Sequence, residues 1–377
     1  MILSDYRMTT GGATGKDDQS LPPSVYAVVL AGGRGERFWP VSTDAQPKAF
    51  LRLVGNESLL QATVRRIRLL LPWTQIAVVA GETHAELVRA QLPELPEGNL
   101  LLEPQGRDTA AAIGLASLSV ERLDPHAMMI VLPADHYVPD AEAFAAVLRR
   151  AVELLVLHPD WVVTVGITPT RPETGYGYLE VGKSLAQPPG AFLVHRFLEK
   201  PNRQMAERLA ADGCHYWNSG IFLWRNSVIQ GLLAQHMPDV WAGLCRIRGA
   251  WRVREALVRE YSAFHRQSVD YGVLERVENG IAMIRADFAW DDLGAWDALA
   301  RVQPVDDSGN VIVGEAQLVD TAQSVVVSAG PRVAIIGLSD IIVVASNDGV
   351  LVCPKGRAQD VRKLSGKRDP SQERMEQ

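Results

Sequence analysis

The sequence has little cysteine. Its 377 residues include only Cys214, Cys245 and Cys353, and no two of them form a C-x-x-C pair. This scarcity excludes a disulfide-stapled scaffold and a thiolate zinc site, and it favours a reducing compartment, so we expect a cytoplasmic protein. The sequence also lacks an apolar run near the ~18 residues that a transmembrane helix needs. Residues 1–20 are polar, without the apolar segment of a signal peptide, and no membrane partner is expected.

An excess of positive charge is missing as well. The 38 lysines and arginines are outnumbered by 44 aspartates and glutamates, which leaves a formal net charge of −6. Sequence-independent nucleic-acid binding needs a basic face, so nucleic acid is not an expected partner. The chain has a globular composition, with 47% hydrophobic and 22% charged residues. Its length is about two and a half times the ~150 residues of an average domain, which predicts one large and one smaller domain.

Composition divides the chain into four parts. Residues 1–24 are rich in Gly, Thr, Ser, Asp and Pro and predict a flexible leader, whereas 303–310 (QPVDDSGN) predicts a linker. The segment 25–302 between them is expected to form the large domain. Residues 311–377 begin with short β-type runs separated by Gly, Asp, Ser and Asn and end in a charged tail. This pattern predicts a small all-β domain.

Strand and helix patterns alternate through the first half of the large domain. The run Val25–Ala31 is wholly apolar, as expected of a strand buried on both faces of a parallel sheet. A helix is predicted over Ser58–Leu71 with Ser58 as its N-cap, and the alternation continues to Ile167 and includes a helix over Thr109–Leu123. From about Gly175 the strands become longer and turn-linked, one of them over Gly220–Trp224, and 226–261 has a helical pattern. We therefore predict a doubly wound, mixed α/β sheet with ligands at the carboxyl ends of its strands.

A glycine-rich loop follows the first predicted strand. Gly32, Gly33 and Gly35 allow backbone N–H groups to approach a phosphate chain closely. Arg37 adds a charge-assisted donor for the same phosphates, and Lys48, held by the turn at Pro47, adds a second cation. Together these residues predict a phosphate-binding loop.

Two familiar phosphate loops do not fit. The dinucleotide fingerprint G-x-G-x-x-G fails because Phe38 stands where the third glycine belongs. The nearest match to a Walker loop has Thr10 in place of the first glycine and Asp17 in place of Ser or Thr, with no strand before it.

The loop instead resembles that of a known family. GGRGERFWP at 32–40, followed by PKAF at 47–50, resembles the signature of the sugar-nucleotide pyrophosphorylases, and the FWPVS ending is similar to that of mannose-1-phosphate guanylyltransferases. The resemblance extends over roughly residues 26–364. It implies that the loop wraps a nucleoside triphosphate, that Gly32, Gly33 and Gly35 line it, and that Arg37 and Lys48 neutralise it.

Two aspartates, far apart in sequence, are candidates for a magnesium site. Asp135 follows a predicted strand and faces the phosphate loop, a position that suits Mg²⁺, which prefers carboxylate and phosphate oxygens. The family pattern W-x-D-x-G aligns with Trp290, Asp292 and Gly294, so the resemblance implies Asp292, and not Asp291, as the second ligand. We therefore expect Mg²⁺ as the cofactor.

Three further strings resemble the part of the family that binds the sugar phosphate. TGYGYLE at 174–180 implies that Gly177 and Glu180 contact substrate, with small residues letting a hexose lie against the backbone. FLEKP at 197–201 implies that Glu199 accepts hydrogen bonds from sugar hydroxyls and that Lys200 contacts the sugar 1-phosphate. WNSGIF at 217–222 implies that Asn218 also bonds the sugar.

The string EPQGRDTAAAI at 103–113 resembles the segment beside the purine and ribose, which implies substrate contacts for Glu103, Arg107 and Thr109. Two positions depart from the family pattern: Asp108 replaces Asn, and Ala111 replaces Pro. If the family's amide donates to guanine O6, the departure loosens base selectivity, because an ionised Asp only accepts. If Asp108 caps the following helix, nothing changes, and we favour the cap.

The resemblance implies a specific reaction. Mannose 1-phosphate attacks the α-phosphorus of GTP in line, with Mg²⁺ assistance, and yields GDP-mannose and pyrophosphate. Two alternatives are a pyrophosphorylase for another triphosphate and hexose 1-phosphate, and a non-catalytic, regulatory relative that binds GDP-mannose. The second is disfavoured because this sequence keeps Arg37, Lys48, Asp135, Lys200 and Asp292.

The resemblance also bears on the C-terminal part. It implies a β-helix-like module that packs on the catalytic domain, and it leaves a homodimer open. The chain stops before the isomerase domain that is fused in longer members, so isomerase activity is not expected.

Overall fold

The computed structural model of the chain describes residues 21–22, 24–251 and 253–364. Most of the predicted leader (1–24) and the last part of the predicted charged tail lie outside these residues. Across the described ranges, every helix is too short or too polar to cross a lipid bilayer.

In the described chain, nine strands form one mixed sheet, and they are β1 (Val25–Leu30), β2 (Ile76–Gly81), β3 (Leu100–Glu103), β4 (Met128–Pro133), β5 (Val162–Ile167), β6 (Gly177–Ser184), β7 (Ala191–Glu199), β8 (His215–Arg225) and β9 (Ile281–Arg285). Their spatial order is β3-β2-β1-β4-β8-β5-β9-β7-β6. The mixed α/β class predicted from the alternation is confirmed.

The strand order reverses between β1 and β4. β1 pairs in parallel with β2 on one side and with β4 on the other, while the chain continues from β2 outward to β3. Val25, Ala27, Val28 and Val29 of β1 are fully shielded from solvent, as the unbroken apolar run predicts for a strand covered on both faces. The carboxyl ends of β1 and β4 therefore border a crevice at a topological switch point.

Strand β8 was only partly foreseen from the sequence. The prediction began it at Gly220, whereas it starts at His215 and lies between β4 and β5, antiparallel to both. Its first half also pairs with β6. A strand inserted between two others that precede it in sequence depends on long-range pairing, which a local pattern does not report.

Ten helices flank the sheets in the described residues, namely α1 (Leu59–Ile67), α2 (Ala85–Gln91), α3 (Thr109–Leu123), α4 (Ala141–Leu157), α5 (Arg203–Ala211), α6 (Asn226–His236), α7 (Pro238–Gly249), α8 (Arg254–Ser262), α9 (Val269–Gly272) and α10 (Leu299–Val302). Ser58 caps α1 through a reciprocal capping box with Gln61, as its position predicts. The helix ends four residues earlier than expected, because Pro72 disfavours helical backbone just before it.

The predicted helical stretch 226–261 is divided into three helices. Pro238 begins α7 directly after α6, because its fixed φ suits a first helical position and its missing N–H cannot continue the preceding helix. A turn through Ala250 separates α7 from α8.

The C-terminal part is a small β-helix-like module. Its strands are β10 (Val311–Val313), β11 (Ala316–Val319), β12 (Val325–Ala329), β13 (Val333–Ile336), β14 (Ile341–Ser346) and β15 (Gly349–Pro354), followed by a 3₁₀ helix, Lys355–Lys363. β10, β12 and β14 stack in parallel, as do β11 and β13. The predicted all-β character is confirmed.

This module packs against the end of the glycine-rich loop. Ser346 Oγ of the module donates to the Pro40 carbonyl at 3.2 Å, and beside it Trp296, from the end of the large domain, donates through Nε1 to the Trp39 carbonyl at 2.9 Å. Phe38 and Trp296 share one buried cluster with Val311 of the module. The module thus fixes the far end of the loop.

We predict that Trp296→Phe lowers the free energy of unfolding by about 1–2 kcal/mol, because the buried Trp39 carbonyl loses its donor while most ring packing survives. Urea unfolding measures this change. Trp161→Phe is the control, since the Trp161 ring stacks on His158 away from the module. Equal losses in both variants would contradict the prediction.

Candidate active site

A cavity of about 570 Å³ opens at the carboxyl ends of β1 and β4. Nine of the site residues expected from the sequence line it, and they are Gly32, Gly33, Glu103, Thr109, Asp135, Gly177, Glu199, Asn218 and Asp292. They come from segments as far apart as the first and last strands of the main sheet. The crevice at the switch point is therefore also the place where the separate sequence motifs meet.

The glycines have different surroundings. A Cβ on Gly32 would lie 3.2 Å from Glu103 Oε2, whereas a Cβ on Gly33 would have no atom within 4 Å. Gly35 has φ +65°, and a Cβ there would overlap the side chain of Lys48. The loop therefore presents Gly32 and Gly33 to the cavity and turns away at Gly35, against Lys48.

Lys48 joins the two candidate metal aspartates. Its side chain is 7% exposed, and Nζ donates to Asp135 Oδ2 at 2.8 Å and to the Asp292 carbonyl at 2.6 Å. Burial raises the pKa of Asp135, but the charge of Lys48 and the hydrogen bond that Lys48 donates outweigh burial and lower it overall. Asp135 is thus held ionised beside the segment that carries Asp292.

The donor set suits Mg²⁺. Tyr176 donates to Asp292 Oδ1 at 2.6 Å and Lys48 to Asp135 Oδ2, and these bonds leave a second oxygen on each carboxylate. Among the described residues, no group of three or more His, Cys, Asp or Glu side chains is placed to hold a metal. Two carboxylates suffice for Mg²⁺, which usually takes one or two of them together with phosphates and water.

Buried groups support Asp135 from behind. Thr63 Oγ1 donates to the Ala134 carbonyl at 3.1 Å, and Arg66 donates to the carbonyls of His136 and Val138. Both side chains belong to α1 and are nearly inaccessible to solvent. Burial lowers the pKa of Arg66 to about 10, so it remains charged at neutral pH.

Asp292 is supported separately. Its neighbour Asp291 is 4% exposed and accepts two hydrogen bonds from Arg301, so it is a hydrogen-bonded structural carboxylate. Arg171 donates to the Tyr176 hydroxyl, which in turn donates to Asp292. Burial and the charge of Asp292 raise the pKa of Tyr176, which therefore stays protonated and serves as a donor.

His136 is neutral. Burial lowers its pKa, and its Nδ1 accepts a hydrogen bond from Trp290 Nε1 at 3.3 Å. The proton is therefore on Nε2, which lies 4.0 Å from Asp135 Oδ1. This geometry gives His136 a supporting role beside Asp135.

A second wall of the cavity, across from the glycine-rich loop and the two aspartates, carries the candidate sugar-binding residues. Glu199 Oε2 lies over Gly177, where any side chain would displace it, and Glu199 Oε1 accepts from Lys200 Nζ at 2.6 Å. Asn218 is 9% exposed and hydrogen-bonds Thr164 and Asp270. Lys200 itself is exposed, with Nζ 5.3 Å from the centre of the Tyr271 ring.

The third wall is formed around the N-terminus of α3. Glu103 is buried and accepts from the Tyr261 hydroxyl at 2.6 Å, and burial raises the pKa of this carboxyl. Asp108 is the N-cap of α3, with its carboxylate accepting from the Thr109 N–H at 2.8 Å. The cap that we favoured for Asp108 is therefore present.

Six of the expected site residues do not line the cavity. Gly35 and Lys48 lie directly behind its wall. The other four are Arg37, which donates to Gln359 of the module, Arg107, which donates to the Ser262 carbonyl, Glu180, which pairs with His215 across β6 and β8, and Lys200. Their proposed contacts with substrate stay predictions.

Several lining residues were not among the site residues expected from the sequence, and Arg34, Tyr176 and Asp270 are examples with polar side chains. Arg34 stands in the glycine-rich loop, and Tyr176 stands in the GYGY string beside Gly177. Arg34 and Tyr176 could have been predicted from the sequence, because both lie in strings that the sequence analysis had identified. Asp270 follows Ser268, the N-cap of α9, in a segment with no site-like spacing, so no local signal marked it.

Known protein families and characterised proteins are similar to this chain over most of its length. The profile of the family described as nucleotidyl transferase matches residues 26–308, and that of the MannoseP isomerase/GMP-like beta-helix domain matches residues 314–367. A mannose-1-phosphate guanylyltransferase of Klebsiella pneumoniae is 37% identical over 343 residues, 89% of this chain and 72% of the relative. That of Escherichia coli K12 is 36% identical over 350 residues, 90% and 72% of the two chains.

One solved structure is also similar to this chain over most of its length. The crystal structure described as a mannose-1-phosphate geranyltransferase from Thermus thermophilus matches with a TM-score of 0.81 at 36% identity. The match covers 90% of this chain and 98% of that one, so it includes both the main sheet and the β module.

We predict that Gly35→Ala lowers the free energy of unfolding by at least about 1 kcal/mol, because a left-handed backbone is unfavourable for any residue with a Cβ and Lys48 occupies the space. The matched variant Gly33→Ala in the same loop should unfold like the wild type. Urea titration compares them, and a stable Gly35→Ala protein would show that the loop relaxes away from Lys48.

A second prediction concerns pH. Burial and the charge of Glu199 raise the pKa of Asp270 to about 7. Between its ordinary pKa and 7, the folded protein keeps a proton that the unfolded chain has released, so this residue makes unfolding easier as the pH rises. Asp270→Asn should therefore gain stability relative to the wild type between pH 4 and 7, by roughly 1 kcal/mol, since cavity solvent screens the charge.

Thermal unfolding from pH 5 to 8 measures this difference. Asp307→Asn, an exposed change in the linker, should show a pH-independent difference from the wild type. A flat difference for Asp270→Asn as well would show that Asp270 ionises normally.

Proposed function

This chain belongs to the nucleotidyl transferase family, among the mannose-1-phosphate guanylyltransferases, and we propose that it makes GDP-mannose and pyrophosphate from GTP and α-D-mannose 1-phosphate. The observation that carries the proposal is the single cavity in which the glycine-rich loop, the Lys48-linked aspartates and the Glu199–Asn218 wall meet. The names of the relatives indicate the substrates, and the cavity has a region for each part of these molecules.

The nucleoside would lie against the N-terminus of α3. The helix dipole makes that end electropositive. Glu103 and Thr109 line this wall, with Gly32 packed closely on Glu103. We assign the base and ribose to this side.

The triphosphate would extend along the glycine-rich loop towards Asp135 and Asp292. The N–H groups of Gly32 and Gly33 and the guanidinium of Arg34 border this path. When bound, Mg²⁺ would take phosphate oxygens as ligands and neutralise part of their charge. Lys48 keeps the two carboxylate segments together and offsets their mutual repulsion.

The hexose would lie beside Gly177, whose missing side chain lets the Glu199 carboxylate pack closely on the backbone at the cavity wall. Glu199 and Asn218 supply fixed polar groups for its hydroxyls, and Lys200 is the nearby cation for the 1-phosphate. Burial lowers the pKa of Lys200, but the hydrogen bond that its ammonium donates to Glu199 and the charge of that carboxylate raise it overall. Lys200 is therefore charged at neutral pH.

The chemistry needs neither a general base nor a covalent intermediate. The attacking oxygen belongs to a phosphate that is already ionised at pH 7, and in-line attack on the α-phosphorus expels pyrophosphate. The tasks of the protein are to align the two phosphates and to offset their charge. Neutral His136 and protonated Tyr176 fit supporting roles, because neither carries a positive charge that could offset the negative charge of the phosphates.

The non-catalytic alternative lacks structural support. A regulatory relative needs no assembled pair of carboxylates bridged by a buried lysine, yet this arrangement is present. Mg²⁺ as cofactor, the cytoplasmic location and the homodimer stay predictions, as does strict selectivity for guanine and mannose.

We predict that purified protein releases pyrophosphate from GTP and mannose 1-phosphate, and that Lys200→Ala and Asp292→Ala lower kcat by at least ~100-fold, the scale of one lost electrostatic catalytic group. Lys183→Ala and Asp307→Ala, exposed residues outside the cavity, should retain wild-type turnover. Chelation by EDTA should abolish turnover, and added Mg²⁺ should restore it.

A panel of triphosphates and hexose 1-phosphates decides the substrates. Faster turnover of another pair would replace the assignment to GTP and mannose 1-phosphate. Near-normal kcat in both Lys200→Ala and Asp292→Ala would contradict the mechanism.

A further inference from the structure

Asp270 is a charge-bearing residue of the cavity to which the proposed reaction gives no role. It lies in α9, whose first residue is tied to the nucleoside wall. The Val269 N–H donates to Thr109 Oγ1 at 2.9 Å, and the Ala110 N–H donates to the Gln267 carbonyl at 3.3 Å. Asp270 therefore belongs to a segment that is anchored to the N-terminus of α3 and lies next to the wall of Glu199 and Asn218.

The hydrogen bonds of Asn218 set the position of Asp270. Asn218 Oδ1 accepts from the Thr164 hydroxyl and from the Gly220 N–H, both at 3.2 Å. The amide can satisfy both only with its oxygen turned towards them, which directs Nδ2 to Asp270 Oδ1 at 2.9 Å. One carboxylate oxygen of Asp270 is thus fixed, and Asn218 is the one side chain in the described residues that hydrogen-bonds it.

Glu199 stands on the same wall and has a similar arrangement. Lys200 holds one of its oxygens, and the other lies over Gly177. The Glu199 charge is close enough to disfavour ionisation of Asp270. Two carboxyl groups in one partly apolar wall are unfavourable unless donors satisfy them, because an unpaired buried acceptor costs about 1–3 kcal/mol.

The substrates carry such donors on the hexose, on the ribose and on the guanine base. The ribose and base are assigned to the wall of Glu103 and Thr109, so the hexose is the part that faces Glu199 and Asn218. A phosphate has none to offer at neutral pH and is repelled by carboxylates. Each hydroxyl of a hexose ring has an O–H donor, and vicinal hydroxyls suit two neighbouring acceptors.

We propose that Asp270 is a specificity-determining residue for the hexose, and that its free oxygen accepts a hydrogen bond from a ring hydroxyl other than the one bound by Glu199. The inference rests on the proposed function and extends it to one more substrate contact. The relay from Thr164 through Asn218 holds Asp270 in place. Tyr271, the next residue, lies under the Lys200 ammonium, so α9 borders both the hexose and its phosphate.

The test uses Asp270→Asn and Asp270→Ala. Asp270→Asn keeps an acceptor for Asn218 but replaces the other oxygen by a donor. Both variants should raise the KM for mannose 1-phosphate by about 10-fold or more, the loss expected for one hydrogen bond to a charged group. The KM for GTP should stay within about twofold, which serves as the folding control, and Glu278→Gln should behave as the wild type.

Deoxy analogues identify the contact. With mannose 1-phosphates lacking one ring hydroxyl at a time, the wild type should lose efficiency for each, whereas Asp270→Ala should no longer discriminate against one of them. An unchanged sugar KM, an equal rise in the KM for GTP, or undiminished discrimination against every analogue would overturn the proposal.

Failure of the proposed function gives a different result. It would appear in the wild type, as turnover of another hexose phosphate or none. In the first case the variants are compared on that hexose phosphate. In the second, calorimetric binding of hexose 1-phosphates to wild type and variants decides, and equal affinities would overturn the role of Asp270.

Discussion

The buried ion pair between Lys48 and Asp135 is the interaction on which the site depends. Lys48 also bonds the backbone of Asp292, so one ammonium joins segments that lie 87 and 244 residues away from it. Without this cation two carboxylates would face each other in a partly dry cavity, and their repulsion would separate the segments. The close contact of Lys48 with Gly35 gives the same side chain a second task, since it holds the turn of the glycine-rich loop.

Each carboxylate segment is also anchored from behind, which leaves its front to the cavity. Thr63 and Arg66 hold the backbone beside Asp135, whereas Arg301 binds Asp291 and leaves its neighbour Asp292 facing inward. Trp296 and the β module complete this support, since Trp296 bonds the backbone of the loop at Trp39 and Ser346 of the module bonds it at Pro40. Positioning by rigid, fully bonded groups is what a reaction without a general base requires.

Much of the fold could be predicted from local patterns. The helix Thr109–Leu123 was predicted to the residue, and the strand at Val25 starts where its apolar run starts, because both depend on neighbouring residues alone. Local patterns did not reach the features that distant contacts decide. β8 begins at His215 because its first half pairs with β6, and the direction of Arg37 depends on a partner, Gln359, from the end of the chain. Asp270 escaped notice because contacts with Asn218 and Thr109, both far from it in sequence, place its segment in the cavity.

By itself, the sequence determined which chemical groups are present and the local structure around each. Examples are the glycine-rich turn after the first buried strand, Asp135 after another strand, and Gly177 in the segment before the Glu199-Lys200 pair. These follow from backbone preferences and hydrophobic periodicity, which act over a few residues. Only the tertiary structure decided which of the groups share a cavity and which cation joins the two aspartate segments. Side-chain direction, burial and charge pairing are properties of the packed chain, since electrostatic interactions become strong and specific only where folding has removed water.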